Sequence, residues 1–122
     1  MTVPITSLER ADICYVNLDN DTVANEQRGV RPCVIIAKQE QVGLVVIIPL
    51  TTTKGVIRFS STLEIKRSDI NHLKEDSVAM IFQVRAISVG RLTTKRGFLE
   101  DHYFSDILKL LATYLGLNGL GS

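Results

Sequence analysis

Short apolar runs rich in β-branched residues, separated by polar or turn-forming segments, follow one another along most of the chain. Runs of this length and composition predict strands, here over residues 12–18, 33–38, 43–50 and 77–86. The polar residues 39–41 join the second run to the third, so these two strands are expected to form a buried hairpin. Residues 56–65 alternate less regularly and predict a more exposed strand, and residues 66–76 predict a polar connection.

The last part of the chain has helical spacing instead. Apolar residues recur there at helical intervals, at Phe104, Ile107, Leu108, Leu111 and Leu115. Polar residues at 100–101 precede them, and Gly116 predicts the end of the helix. Several short strands followed by one amphipathic helix predict a mostly β fold with a C-terminal helix. We expect a small bent barrel that forms one domain over residues 1–122.

Two prolines bear on the strand ends. Pro32 favours an extended conformation for the residue before it, so Arg31 is expected to enter a strand. Pro49 cannot donate a ladder hydrogen bond, so the third strand is predicted to end or bulge there and to leave residues 50–53 irregular. The hydroxyl groups of Thr51 and Thr52 would then lie at a strand exit.

Composition limits the class of protein. With 122 residues and 45% hydrophobic content, the chain has enough apolar surface for one compact core. Its longest apolar run, residues 45–50, is too short to cross a bilayer, and residues 1–10 lack the apolar segment of a secretion signal. We therefore expect a cytoplasmic protein without a membrane segment. Cys14 and Cys33 are expected to be reduced and buried, and no metal site is predicted because no cluster has metal-ligand spacing.

Charge alone does not identify a partner. The net charge of +1 is too small to indicate a nucleic-acid-binding protein. Basic residues nevertheless dominate between an acidic stretch near the start of the chain and another near its end. Two interpretations stay open: a basic surface assembled by the fold, or an ordinary mixed surface in solvent.

Four parts of the chain carry most of the functional information. They are residues 11–19 (ADICYVNLD), residues 25–32 (NEQRGVRP), residues 48–52 (IPLTT), and residues 73–88, which contain LKEDSVA and QVRAIS. In this order and at this spacing they resemble the MazF/PemK family of type II toxin–antitoxin toxins, over about residues 11–115. Each part alone is a weak signal, whereas four in register are a strong one.

The resemblance implies a small CcdB/PemK-type, Src-homology-3-like β-barrel that works as a homodimer. It also implies an endoribonuclease that cuts single-stranded RNA at short sequences without a cofactor and is inhibited by a cognate antitoxin. By the same resemblance, Arg31 and Thr51 are catalytic and Glu26 is implicated with them. Contacts to RNA are implied for Arg28, Thr52, Lys54, Gln83 and Arg85.

The chemistry of RNA cleavage without a metal fits these residue types. A ribose 2′-hydroxyl must attack the adjacent phosphorus in line. Arg31 suits the charge that grows on the non-bridging oxygens, because a guanidinium stays protonated and forms paired hydrogen bonds. Thr51 adds a short neutral donor. Glu26 is the candidate base or the group that orients Arg31, and which residue moves protons stays open.

Other interpretations also stay open. Arg31 in a surface ion pair, Thr51 as a strand former and Glu26 as a turn cap would be ordinary structural roles. The chain also departs from the family pattern, with Ala-Asn where many members have Gly-Ser before Glu26, and Ala-Ile-Ser where many have Thr-Ile-Asp after Arg85. The alternative functions are a non-catalytic CcdB-like barrel that binds DNA gyrase or another protein, and a degenerate toxin fold kept as an interaction module.

Overall fold

The computed structural model describes residues 3–18 and 29–119 of the chain. Within these ranges it contains seven strands and one α-helix. In chain order they are β1 (Asp12–Asn17), β2 (Val30–Gln39), β3 (Leu44–Thr51), β4 (Thr62–Ile65), β5 (Ser77–Met80), β6 (Arg85–Ser88), β7 (Leu92–Phe98) and α1 (Asp101–Tyr114). The predicted mostly β class with a C-terminal helix is confirmed.

All the strand pairs are antiparallel, and β3 is the strand around which the sheet bends. The order is β4-β5-β3-β2-β1-β7, and β6 pairs with β3 as well. Along one edge β3 pairs with β2; along the other it pairs first with β6 and then with β5. Because one strand serves two layers in succession, the sheet turns a corner at β3 and curls into the predicted small barrel.

The prediction that the third strand ends or bulges at Pro49 is wrong, because β3 continues to Thr51. Pro49 falls between Ile47, the last residue paired with β6, and Leu50, the first paired with β5. On that edge of β3 no described residue pairs with Pro49, although Cys33 of β2 lies opposite it on the other edge, so the missing N–H group is tolerated there. Proline therefore occupies the corner between two layers, and Thr51 lies in extended backbone at the end of the strand.

Three other local expectations need correction. A 3-10 helix occupies Lys54–Arg58, so only the second half of the predicted strand at 56–65 is extended. The predicted strand at 77–86 breaks at a 3-10 helix, Ile81–Gln83, because the chain leaves one end of β3 and returns to pair with its other end. Strand β7 was not predicted, since its middle residues are polar and exposed; pairing with β1 makes it a strand.

Both faces of the central strands are buried, and alternate residues point into different cores. Ile13, Val34 and Ile48 face a core that is closed by Ile107 of α1. Their neighbours in sequence face a second core between β1, β2, β3, β6 and β7, made of Cys14, Cys33, Ile35, Val45, Ile47, Ile87 and Leu92, among others. Both cysteines are free thiols and buried, as predicted.

Helix α1 ends where the sequence predicts. Gly116 adopts a left-handed φ of +76°, and the N–H groups of Gly116 and Leu117 donate to the carbonyls of Thr113 and Ala112. This is the hydrogen-bond pattern of a glycine-terminated helix end. In the part of the chain that the structure describes, no helix is both long enough and apolar enough to span a membrane.

Candidate functional site

Two of the three residues predicted to be catalytic, Arg31 and Thr51, lie on neighbouring strands. Arg31 is the second residue of β2, and Thr51 is the last residue of β3. The paired residues of these strands end with Cys33 opposite Pro49, and the same register, continued by two residues, would set Arg31 opposite Thr51. Side chains opposite each other in an antiparallel pair share one face, with Cβ atoms about 5 Å apart. The hairpin register thus brings together two residues that are distant in sequence.

Thr51 has a defined hydrogen-bonding geometry. The residue is buried, with 2% of its surface exposed. Its Oγ1 accepts a hydrogen bond from the N–H of Thr53 at 3.2 Å. Within the described residues the hydroxyl proton has no acceptor, so it remains available to a ligand. The neighbouring Thr52 and Lys54 are exposed, and the Lys54 ammonium lies 3.8 Å from the Glu64 carboxylate.

Arg31 is half-buried and lies opposite Val16 of β1. Beside it the N–H of Leu18 donates to the carbonyl of Gly29 at 3.0 Å. Leu18 and Gly29 flank the segment that carries Glu26 and Arg28, two of the predicted site residues. Glu26 and Arg28 themselves lie outside the described residues.

Gln83 and Arg85, both predicted to contact RNA, line one cavity of about 310 Å³ together with Phe82 and Val84. Arg85 lies opposite Ile47 of β3. Ile47 and Thr51 are four residues apart on an extended strand, which is about 13 Å. The cavity is therefore separate from the Arg31–Thr51 pair, although both lie along β3.

The histidines stand apart from this pair. His72 is exposed in the 66–76 connection with a positive φ of 55°, and His102 is exposed in the first turn of α1. The His102 ring lies 4.1 Å from the ring of Tyr103. Among residues 3–18 and 29–119, no three His, Cys, Asp or Glu side chains are grouped so that they could hold a metal ion.

Sequence reasoning missed one basic cavity. It has a volume of about 240 Å³ and is lined by Tyr15, Val30, Lys74, Thr93, Thr94 and Arg96. It escaped prediction because it needs β7, which has a polar sequence, and the 66–76 connection beside it. The signal in the sequence was the alternation of Thr94 and Arg96, which places both on one face once residues 92–98 are a strand.

A further cavity brings basic and acidic side chains together. Lys54 and Arg67 line this cavity of about 360 Å³ with Lys74, Glu75 and Asp76. Lys95, by contrast, points elsewhere, because its ammonium lies 3.2 Å from the buried carboxylate of Asp12. The charges around this cavity and around Lys95 are therefore mixed.

The fold and the sequence both have relatives among known proteins. "Endoribonuclease MazF" of Staphylococcus saprophyticus is 28% identical over 120 residues, which cover 94% of this chain and 97% of that protein. The crystal structure of MazF from Deinococcus radiodurans superimposes with a TM-score of 0.72 at 17% identity, covering 89% of this chain and 96% of that one. A mycobacterial endoribonuclease solved in complex with its cognate antitoxin has a TM-score of 0.67 at 18% identity, covering 91% and 97%.

The structural likenesses establish the barrel, and the sequence establishes the family. A family profile described as the PemK-like, MazF-like toxins of type II toxin–antitoxin systems matches residues 9–115. That match spans every strand of the sheet, both candidate catalytic residues and the helix that closes the first core. The chain therefore belongs to the PemK-like, MazF-like family of type II toxin–antitoxin toxins.

Proposed function

We propose that this toxin is an endoribonuclease that cleaves single-stranded RNA in the cytoplasm at a site centred on Arg31 and Thr51. The observation that carries the proposal is the β2–β3 register, which pairs Cys33 with Pro49 and, continued by two residues, would align Arg31 and Thr51 on one face. One supplies a permanent positive charge and the other a hydroxyl proton that is free to be donated. Such a pair can hold the two non-bridging oxygens of one phosphate.

The proposed reaction needs no metal ion. The ribose 2′-oxygen attacks the adjacent phosphorus and loses its proton, while the bond from phosphorus to the 5′-oxygen breaks and that oxygen gains a proton. The products are a 2′,3′-cyclic phosphate and a 5′-hydroxyl end. Arg31 stabilises the charge that develops on the phosphate oxygens, and Thr51 donates to one of them. Glu26 is proposed as the base or as the group that orients Arg31.

The RNA strand is proposed to follow the polar side chains near the end of β3. Thr52 and Lys54 are exposed directly after Thr51. Gln83 and Arg85 line their own cavity farther along the same strand, and Arg28 belongs to the segment anchored beside Arg31. These five residues are the proposed RNA contacts, and their separation along β3 suits a ligand of several nucleotides.

The proposed assembly is a homodimer inhibited by a cognate antitoxin. Large apolar side chains are half-exposed near the end of α1 and beside it, including Ile57, Phe59 and Tyr114. Phe59 packs edge-to-face on Phe82 at 6.1 Å, and the Tyr114 hydroxyl donates to the Phe82 carbonyl at 3.3 Å. A clustered apolar surface of this kind is typical of a contact between protein chains. The mycobacterial relative was solved in complex with its cognate antitoxin, which supports an antitoxin as a partner of this chain.

A cleavage assay tests the activity. The purified protein is incubated with a long single-stranded RNA in the presence of a metal chelator, and the new 5′ ends are mapped. We expect discrete fragments with 5′-hydroxyl ends, none from DNA of the same sequence, and none from Arg31→Ala. Arg10→Ala is the matched control, because Arg10 stacks on Phe104 on the side covered by α1. If Arg31→Ala cuts as well as the control, the proposed site is wrong.

The non-catalytic alternative, a CcdB-like barrel that binds DNA gyrase, is not favoured. The matching family model describes PemK-like, MazF-like toxins, and the curated relative is named an endoribonuclease. Intact RNA at high protein concentration, together with retained antitoxin binding, would favour an interaction module instead.

A further inference from the structure

We propose that the cavity lined by Tyr15, Lys74 and Arg96 is a subsite for one nucleotide of the RNA, with the base against the tyrosine ring and a phosphate between the two cations. This cavity, here called the Tyr15 subsite, lies outside the residues proposed above for catalysis and RNA contact. The inference rests on the proposed ribonuclease function and extends it to a second binding position.

The first reason is that two positive charges converge on one aromatic ring. The Lys74 ammonium lies 6.0 Å from the centroid of the Tyr15 ring, and the Arg96 guanidinium carbon lies 5.9 Å from it. These distances are at the outer limit of a cation–π contact, so the ring is not tightly covered by either cation. All three side chains belong to residues that line the cavity.

The second reason concerns the surroundings of these two charges in the described part of the chain. In the described ranges 3–18 and 29–119, neither Lys74 nor Arg96 forms an ion pair, whereas Lys38, Lys54 and Lys95 each lie next to a carboxylate. Two like charges facing one cavity repel each other unless an anion occupies it. A phosphate group would neutralise them and accept hydrogen bonds from both.

Hydroxyl groups complete the lining. Thr94 lies directly opposite Tyr15 across the β1–β7 pair, so both side chains share one face. Thr93 donates from its Oγ1 to the Tyr15 carbonyl at 3.3 Å, which fixes β7 against β1 at this point. An aromatic face, two cations and hydroxyls are what a nucleotide needs for stacking, charge neutralisation and hydrogen bonding.

The location connects the Tyr15 subsite to the catalytic pair. Val30 lines the cavity, and the next residue of β2 is Arg31. Successive side chains of a strand point to opposite faces, so the cavity lies on the other face of the same strand end. On its far side Lys74 also lines the cavity that contains Lys54. A nucleotide bound here would therefore flank the scissile phosphate without containing it.

An acidic peptide from an antitoxin is the competing occupant. Its carboxylates would satisfy Lys74 and Arg96 but would leave the Tyr15 ring without a flat partner. The ring in the centre of the cavity favours the nucleotide, because stacking on an aromatic side chain is available to every base.

The test compares Lys74→Gln/Arg96→Gln with wild type. The probe is a 2′-O-methyl RNA that cannot be cleaved, and the binding constant is measured at several salt concentrations. We expect weaker binding and a log–log salt slope smaller by about 0.7, the value for one lost phosphate contact. Tyr15→Leu keeps an apolar group in the sheet and is expected to weaken binding on the order of tenfold with the salt slope unchanged.

The matched control is Lys38→Gln/Lys109→Gln, which removes two charges at the far end of β2 and on α1. It should bind RNA like wild type. If Lys74→Gln/Arg96→Gln matches this control while wild type still cleaves RNA, the Tyr15 subsite is wrong and the proposed function stands. A wild type that neither binds nor cleaves RNA refutes both. Retained RNA binding with lost binding of a Glu-rich peptide would assign the cavity to the antitoxin and overturn the proposal.

Discussion

The hydroxyl of Thr51 can be separated from its methyl group by two substitutions. Thr51→Ser keeps the oxygen that accepts from Thr53, whereas Thr51→Val removes it and leaves that N–H without its partner, at a cost of about 1 kcal/mol in stability. Because the donor acts on charge that develops in the transition state, we expect kcat for Thr51→Val to fall on the order of 100-fold with little change in KM. Thr51→Ser should retain most of the activity.

Steady-state cleavage of a short fluorescent RNA measures both constants, and circular dichroism establishes that the variants are folded. Thr51→Val with the kcat of wild type would remove Thr51 from the catalytic site. An equal loss in both variants would indicate that the methyl group, and hence packing, is what matters.

The two buried thiols predict an alkaline loss of stability. The pKa of Cys14 is raised from 9.0 to about 12, mainly by burial and in smaller part by the Asp12 charge, while Lys95 opposes the increase. Burial likewise raises the pKa of Cys33 well above its ordinary value. The folded chain thus keeps these protons when the unfolded chain loses them. The resulting stability is complete below pH 9 and is lost as the pH rises from 9 towards 12.

Urea unfolding between pH 7 and pH 10.5 tests this, with Cys14→Ala/Cys33→Ala as the reference. Wild type should lose more unfolding free energy than the double variant above pH 9. At pH 8 neither thiol should react with an aromatic disulfide reagent until the protein is unfolded. Immediate reaction in the native protein would show that the thiols are accessible. It would therefore contradict the burial from which the alkaline loss of stability is predicted.

Among the secondary structure elements, β7 is held against the 66–76 connection by the absence of a side chain at Gly97. A Cβ atom there would lie 2.8 Å from both the His72 ring and the Ile70 carbonyl oxygen, and 3.0 Å from the Asn71 carbonyl oxygen. Two of these neighbours are backbone atoms that cannot rotate away. Gly97→Ala is therefore expected to destabilise the protein by about 1 to 3 kcal/mol.

Gly90→Ala is the control for this substitution, since its Cβ would meet only the Ser88 Oγ at 3.5 Å, an ordinary contact. The prediction is tested by comparing the denaturation midpoints of Gly97→Ala and Gly90→Ala with that of wild type. Equal midpoints would mean that β7 and the connection separate at little cost, and the walls of the Tyr15 subsite would then be loosely held.

The local sequence pattern correctly predicted the elements whose conformation depends on residues nearby in the chain. The first strand, the central hairpin and the terminal helix all follow from apolar spacing and turn residues. The break between β5 and β6 did not, because it depends on where each strand meets β3. Strand β7 was missed for a similar reason, since a polar sequence becomes extended there by pairing with β1.

The candidate site was likewise predictable only in part. Arg31 was predicted to enter a strand and does so, whereas Thr51 was expected in irregular backbone and is instead the last residue of β3. Their alignment depends on a register that shifts between Ile35 and Ala37. Spacing along the chain cannot predict such a shift. The grouping of Tyr15, Lys74 and Arg96 could not be predicted from the sequence either. It brings together three separate parts of the chain, and one of them is a strand whose sequence has no apolar pattern.

For the whole molecule, the consequential feature is that its two cores share three strands. Adjacent residues of β1, β2 and β3 point into different cores, so neither core can open without exposing the other. We therefore expect a single cooperative unfolding transition despite the two separate clusters. Ile107→Ala in the core under α1 and Leu92→Ala in the second core should each cost about 2 to 5 kcal/mol, since both side chains are fully buried.

Far-UV circular dichroism and tyrosine fluorescence, followed during urea unfolding, test this cooperativity. Fluorescence reports on Tyr103, which packs on the core under α1, and on Tyr15 at the edge of β1. Both signals should change at the same midpoint in wild type and in each variant, and both midpoints should move together. If Ile107→Ala unfolds in two steps, with helical signal lost first, α1 is an independent unit. The sheet would then hold Arg31 beside Thr51 without help from the helix.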